Sequence, residues 1–188
     1  PLPQLILGGG SNILLTQDIQ GVVWQMNLRG IQIISEDADT VVVEAAAGEN
    51  WDSFVAYCVA KGWGGLENLS LIPGTVGASP IQNIGAYGVE MQDTCEYVDA
   101  IGLDDGVFSR FSRADCAFSY RDSIFKQLFQ NQFIITAVAF RLQKKPILKL
   151  NYGDVQETLF ALGHKQANIG AVRDAIIHIR QHKLPDPR

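Results

Sequence analysis

Hydrophobic and polar positions alternate in short runs along most of the chain, and they predict strands more often than helices. Gln4–Leu7 is a short apolar strand, and Ile13-Leu14-Leu15 reads as another. Residues 21–27 (GVVWQMN), 31–34 and 40–47 (TVVVEAAA) are β-rich runs separated by turns. The period then changes. Trp51, Phe54, Val55, Cys58 and Val59 make one helical stripe, with Asn50 as its cap and Gly62 in the C′ position. Strands resume at 95–103, turn at Asp104-Asp105-Gly106 and return over 107–111. Ser112 and Asp115 have capping-box spacing. Residues 133–142 (FIITAVAFRL) are the clearest strand pattern, and 147–150 give one more. Asp154 is placed to cap a helix reaching Leu162. Asn168 is placed to cap a second, with Ile169, Val172, Ile176 and Ile179 inward and a break before Pro185. This irregular alternation lacks the spacing of a doubly wound sheet. It predicts an α+β chain with a mixed sheet and helices on one side.

One stretch fits none of these periods. Residues 68–89 (NLSLIPGTVGASPIQNIGAYGV) run for 22 residues without Asp, Glu, Lys or Arg, and hold four glycines and two prolines. That glycine content is unsuited to a core strand, and an unstructured loop of this length is usually functional or disordered. Leu69, Leu71, Ile72, Val76, Ile81, Ile84 and Tyr87 supply apolar anchors that oppose disorder. Two readings remain: a buried segment whose backbone is a binding surface, or a crossover that only packs. A second glycine cluster, Gly8-Gly9-Gly10-Ser11-Asn12, follows the first strand directly. Its N–H groups can wrap phosphate oxygens, or it can be a tight turn. It matches neither the Walker nor the Rossmann spacing.

Composition narrows the class. The 188 residues are 47% hydrophobic, with net charge -5 and pI about 5.1, so the chain can build a core and carries no basic nucleic-acid footprint. No apolar run reaches the roughly 18 residues of a membrane helix. Cys58, Cys95 and Cys116 are scattered and odd in number, which reads as reduced thiols of a cytosolic protein. The absence of an initial Met and the LPDPR ending suggest a piece of a longer chain.

Candidate chemistry concentrates at Tyr120-Arg121-Asp122-Ser123, where Arg121 is either a preorganised cation facing developing negative charge or half of a structural ion pair. His178 and His182 have the i, i+4 spacing of metal ligands but no third ligand nearby, so no metal site is expected. Hydrolase elbows are absent. The last helix is basic, and Lys183 is either solvated or a phosphate contact.

Taken together and in this order, Gly8–Asn12, Ile72–Gly88, Tyr120–Ser123 and Lys183-Leu184-Pro185-Asp186-Pro187 closely resemble the UDP-N-acetylenolpyruvoylglucosamine reductases, flavoenzymes of bacterial peptidoglycan synthesis. Asn151-Tyr152-Gly153-Asp154 looks like the tyrosine loop of their type I subgroup. The resemblance implies an FAD-binding fold of the vanillyl-alcohol-oxidase/PCMH type. In it, residues 1–29 end the first subdomain, residues 30–188 form the second, and a C-terminal substrate-binding domain is absent from this chain. It implies non-covalent FAD, since the long loop has no His or Cys for attachment, and NADPH as co-substrate. Hydride would pass from NADPH through FAD to UDP-N-acetylglucosamine enolpyruvate, giving UDP-N-acetylmuramate in the cytoplasm. Implied FAD contacts are Gly8, Gly9, Gly10, Ser11, Asn12, Pro73, Gly74, Gly77, Ala78, Ser79, Ile81, Ile84, Gly85 and Tyr87, with Ala78 where some relatives carry Ser or Gly. Arg121 is implied as the electrostatic stabiliser of an enolate-like species, and Tyr120, Tyr152 and Lys183 as substrate-side residues. The family's proton-donating serine and assisting glutamate would lie beyond Arg188, so the piece alone is expected not to complete turnover. Competing readings are another FAD oxidoreductase of the same fold and a non-catalytic nucleotide-binding module.

Overall fold

The structure is a computed structural model that describes residues 2–183. The first glycine cluster ends strand β1 (Gln4–Leu7), which pairs in parallel with β2 (Val22–Gln25). The remaining long strands build a separate five-stranded sheet, ordered β3 (Ile31–Glu36), β4 (Thr40–Ala46), β9 (Phe133–Gln143), β7 (Cys95–Gly102) and β8 (Phe108–Ser112). Every pairing in that sheet is antiparallel. Strands of both senses are therefore present, in two sheets, and the class is α+β. The glycine-rich stretch adds only a two-residue ladder, β5 (Gly85–Ala86) with β6 (Val89–Glu90).

Side-chain alternation decides the layers. Val41, Val43 and Ala45 of β4, Val98 and Ala100 of β7, and Val138, Phe140 and Leu142 of β9 face one core with helix α1 (Trp51–Ala60). Trp51, Phe54, Val55 and Cys58 form the buried stripe of α1, and the Phe54 and Phe140 rings meet at 5.2 Å. Each such large apolar side chain contributes about 1.5–3 kcal/mol on burial. Asn50 accepts from Ser53 N–H as the N-cap, and Gly62 takes φ +78° just past the end of α1. On the opposite sheet face Val42, Tyr97 and Ala139 lie under a polar cover. There Arg110 stacks 3.7 Å above the Tyr97 ring and forks onto Asp99. Helices α2 (Val155–Ala161) and α3 (Ile169–Lys183) bury Val155, Leu159, Val172, Ile176 and Ile179 against one another.

Three local expectations are corrected. Ile13-Leu14-Leu15 forms no strand: it finds no partner edge, and Leu14 is 87% exposed. Residues 147–150 also form no strand, because Leu148 and Leu150 anchor instead on the α2–α3 cluster while Ile147 points outward. Asp154 holds the N-cap position of α2 but its side chain caps no N–H: its backbone, at φ -87° and ψ 15°, departs from the extended conformation of a capping residue, and its carboxylate accepts from Lys183 Nζ at 2.8 Å. Asn168 does cap α3, accepting from Ala171 N–H at 2.9 Å. The helix break before Pro185, and the Leu184–Pro187 part of the final motif, lie outside the described residues.

Candidate functional site

The uncharged stretch is irregular but held at many points. Trp51 Nε1 of α1 donates to the Leu69 carbonyl at 2.9 Å. Asn68, fully buried, donates to the carbonyls of Tyr87 and Lys149. Leu71 sits at φ +58°, a left-handed conformation that a leucine does not hold unaided. Both its backbone groups are clamped: N–H to Asp52 Oδ1 at 2.6 Å, and carbonyl from Arg180 Nε at 3.1 Å. Asp52 also forks with Arg173 at 2.6 and 2.8 Å, so α1 and α3 grip the loop entrance together. Burial works to raise the Asp52 carboxyl, but the Arg173 guanidinium and the Leu71 N–H outweigh it and hold it below the usual carboxylate range. Further along, Asn83 is buried at φ +43°. Its amide donates to Glu90 and to the Ser119 carbonyl, and its Oδ1 accepts from Gln92 N–H.

This bracing brings the two glycine segments together. A Cβ at Gly8 would stand 2.8 Å from Thr75 Oγ1, and one at Gly9 would stand 3.3 Å from Gly74 Cα. Gly77 presses on the end of β4 as closely, where a Cβ would meet Ala47 Cβ at 2.5 Å. The cleft between the segments holds two adjoining cavities, of about 250 and 330 Å³. Gly8 to Asn12, Pro73, Gly74, Ala78, Ser79, Ile81 and Ile84 line the larger. Gly8, Ala78 and Ile81 recur in the smaller, which Gly77 also lines and whose outer wall is mainly apolar: Leu5, Ile6, Met26, Phe125, Phe129 and Phe133.

The cleft is built to receive a polar ligand with an extended body. Among the described residues, the N–H groups of Gly9, Gly10, Ser11 and Asn12 donate to no protein acceptor. Thr75 Oγ1 is buried with no hydrogen-bond partner, a cost of about 1–3 kcal/mol that a ligand oxygen would relieve. Free backbone donors, a stranded hydroxyl and glycines at close approach fit a dinucleotide with phosphate oxygens.

The other sequence-derived candidates do not line the cavities. Gly85 pairs with Glu90, and its carbonyl accepts from Arg121 Nη2 at 2.6 Å. Arg121 is at φ +56° and forms no ion pair with Asp122, which accepts from Gln127. Tyr120 is 82% exposed, with its ring 5.9 Å from the Arg121 guanidinium carbon. Tyr87 and Tyr152 meet edge to face at 6.3 Å, next to Gly88. Hydrogen bonding to Asp154 raises the Lys183 ammonium above its ordinary value. The His178 and His182 rings stack at 4.1 Å, and His182 Nδ1 is engaged with the His178 carbonyl.

Sequence reasoning missed the wall opposite the glycines. Phe125, Lys126 and Phe129 come from the segment just after Ser123, and Met26 from beyond β2. The i, i+4 pair Phe125 and Phe129 was the available signal. No helix among the described residues is long and apolar enough to cross a membrane.

A family model described as an FAD binding domain matches residues 1–112. The chain is 50% identical over 186 residues to a UDP-N-acetylenolpyruvoylglucosamine reductase of Amoebophilus asiaticus, covering 99% of this chain and 55% of the relative. It is 53% identical to the protein of that name from Chromobacterium violaceum, covering 98% of this chain and 54% of the relative. The chain thus spans about half the length of these curated relatives. Among solved structures it is similar to UDP-N-acetylenolpyruvylglucosamine reductase from Thermus caldophilus, with TM-score 0.65 and 23% identity over 98% of this chain and 58% of that one. It is also similar to a cholesterol oxidase from Brevibacterium sterolicum, with TM-score 0.53 and 13% identity over 74% of this chain and 30% of that one. At those identities the likeness is one of fold.

Proposed function

Starting from the fact that this chain belongs to the FAD-binding domain family, we propose that it is the FAD-holding part of an NADPH-using reductase. The reaction is conversion of UDP-N-acetylglucosamine enolpyruvate to UDP-N-acetylmuramate, in the cytoplasm, for peptidoglycan synthesis. The relatives named for that reductase support the substrate. The observation that carries the cofactor is the cleft between residues 8–12 and 73–84, with its free N–H groups and the stranded Thr75 hydroxyl. Residues 1–29 and 30–188 are proposed as parts of the two FAD-binding subdomains.

When bound, FAD supplies two-electron transfer between the nicotinamide and the enolpyruvyl ether. The chain's own residues do the rest. Gly9 to Asn12 present N–H donors to phosphate oxygens, and Thr75 donates its hydroxyl. Ile81 and Ile84 give a dry wall on the loop side, and the apolar outer wall excludes water from the smaller cavity. Among the described residues no His, Cys or Tyr lines either cavity, which supports non-covalent attachment. Arg121, fixed on the Gly85 carbonyl, keeps further guanidinium donors for the substrate carboxylate, where negative charge grows. Tyr120 and Tyr152, both exposed, are assigned as substrate contacts, and Lys183 to a diphosphate able to displace Asp154. Protonation of the product carbon is assigned to groups outside this cleft, and the 188-residue chain alone is proposed not to complete turnover.

The test is FAD titration of the purified chain, followed by acid precipitation and an NADPH-oxidation assay with the enolpyruvyl substrate. The expected result is stoichiometric FAD that is released on denaturation, with no turnover. Absence of FAD uptake would leave a plain nucleotide-binding module. Flavin staying with the precipitate, or turnover by the chain alone, would refute the attachment and competence readings. Substrate-dependent peroxide from the full-length protein would favour an oxidase.

A further inference from the structure

The two cavities share one narrow junction, formed by Ile6, Gly8, Thr75, Ala78, Ile81 and Lys126. Among the described residues, Lys126 is the only ionisable side chain lining either cavity. Its ammonium donates to the Arg121 carbonyl at 2.9 Å and, among the described residues, meets no carboxylate. Two of its three donors are left for the cleft. A dinucleotide whose phosphate oxygens are held by the Gly9 to Asn12 N–H groups would bring its diphosphate to the edge of the junction, where Gly8 and Lys126 line both cavities. The junction is where Thr75 Oγ1, pressed against Gly8, lacks a hydrogen-bond partner. A flexible cation on the wall facing them is suited to a charge-assisted contact with that diphosphate.

We infer that Lys126 is a cofactor-binding residue that neutralises the FAD diphosphate and, through the Arg121 carbonyl, ties cofactor occupancy to the backbone that positions Arg121. The inference rests on the FAD reading above. Because Arg121 holds a left-handed φ, the carbonyl contact restrains a conformation that arginine otherwise seldom adopts. An anion drawn to the ammonium fixes the lysine stem and stiffens that restraint.

The experiment compares wild type, Lys126→Met and Lys126→Arg by titration with FAD, with riboflavin, which lacks phosphate, and with NADPH. Loss of one charge-assisted contact predicts FAD binding about 10–100-fold weaker in Lys126→Met. Riboflavin affinity should be unchanged, and Lys126→Arg should retain most of the FAD affinity. Raising ionic strength should weaken FAD binding to wild type and have less effect on Lys126→Met, which decides the matter even where riboflavin binds weakly. Equal FAD affinity in Lys126→Met and wild type would overturn the inference and leave the FAD reading intact. Equal weakening of FAD and riboflavin would make Lys126 a structural tie only. Weakened NADPH with unchanged FAD would move it to the other dinucleotide. A wild type that binds no FAD would overturn the underlying reading itself.

Discussion

Replacing Asp52 with alanine removes, in one step, the restraint at the head of the glycine-rich loop. Three bonds go: the fork from Arg173 at 2.6 and 2.8 Å, and the Leu71 N–H at 2.6 Å. The ion pair is partly enclosed, with Asp52 and Arg173 side chains 26% and 14% exposed. Exposed pairs contribute about 0–1 kcal/mol and breaking fully buried ones costs about 3–5, so this one falls at about 2 kcal/mol. Stranding the Leu71 N–H adds about 1 kcal/mol. The expected loss is about 3 kcal/mol, or a urea midpoint lower by roughly 1–1.5 M. The pH dependence has a definite sign. The Asp52 carboxyl is held below its ordinary value in the folded protein, so its stabilisation is fully present above about pH 4. It is lost as pH falls through the folded value. Asp37 and Asp115 are also lowered, but both are kept in the variant and cancel in the comparison. Urea unfolding of both proteins from pH 7 to pH 3 tests this. A loss under 0.5 kcal/mol at pH 7, or a gap that widens on acidification, would refute the account of the clamp.

Three further outcomes follow from the site. Gly77→Ala should lose about 1–3 kcal/mol of stability, because its Cβ meets the Cβ and backbone of Ala47, just past β4; calorimetric melting checks it. Thr75→Val should stabilise the FAD-free protein by about 1 kcal/mol and weaken FAD binding, since the hydroxyl is unpartnered until a ligand arrives; paired melts with and without FAD show both signs. In the full-length enzyme Arg121→Met should lower kcat by about 10²–10³-fold with FAD affinity retained, read by steady-state kinetics beside a flavin titration.

Much of the site was legible because its signal is compositional. A charge-free run rich in glycine can be read without knowing what it touches, and so can a strand ending in three glycines. What makes that run rigid was not legible. Leu71 is clamped by Asp52 and Arg180, and nothing local marks a leucine for a left-handed backbone. Asn83 looked like one polar residue among several, although it joins the loop to the Arg121 segment through the Ser119 carbonyl. Lys126 escaped notice because its significance comes from residues distant in the sequence, Gly8 and Thr75 among them. Ile13-Leu14-Leu15 and residues 147–150 show the opposite failure: a short apolar run does not say whether a sheet edge is available to it. For Asp154, the residue type marks the cap position, but the backbone angles there decide that its side chain does not cap.

The order of the large sheet bears on how the chain is made. Strand β9 lies between β4 and β7, yet it is the last of the five to be synthesised. The apolar TVVVEAA strand can pair early with β3, but its other edge waits while residues 47–132 emerge. At about 5–20 residues per second that wait is roughly 4–17 seconds, during which a hydrophobic edge stands open on the ribosome. Conditions that slow elongation between β4 and β9 should therefore lower the yield of folded protein without altering the stability of the molecules that succeed.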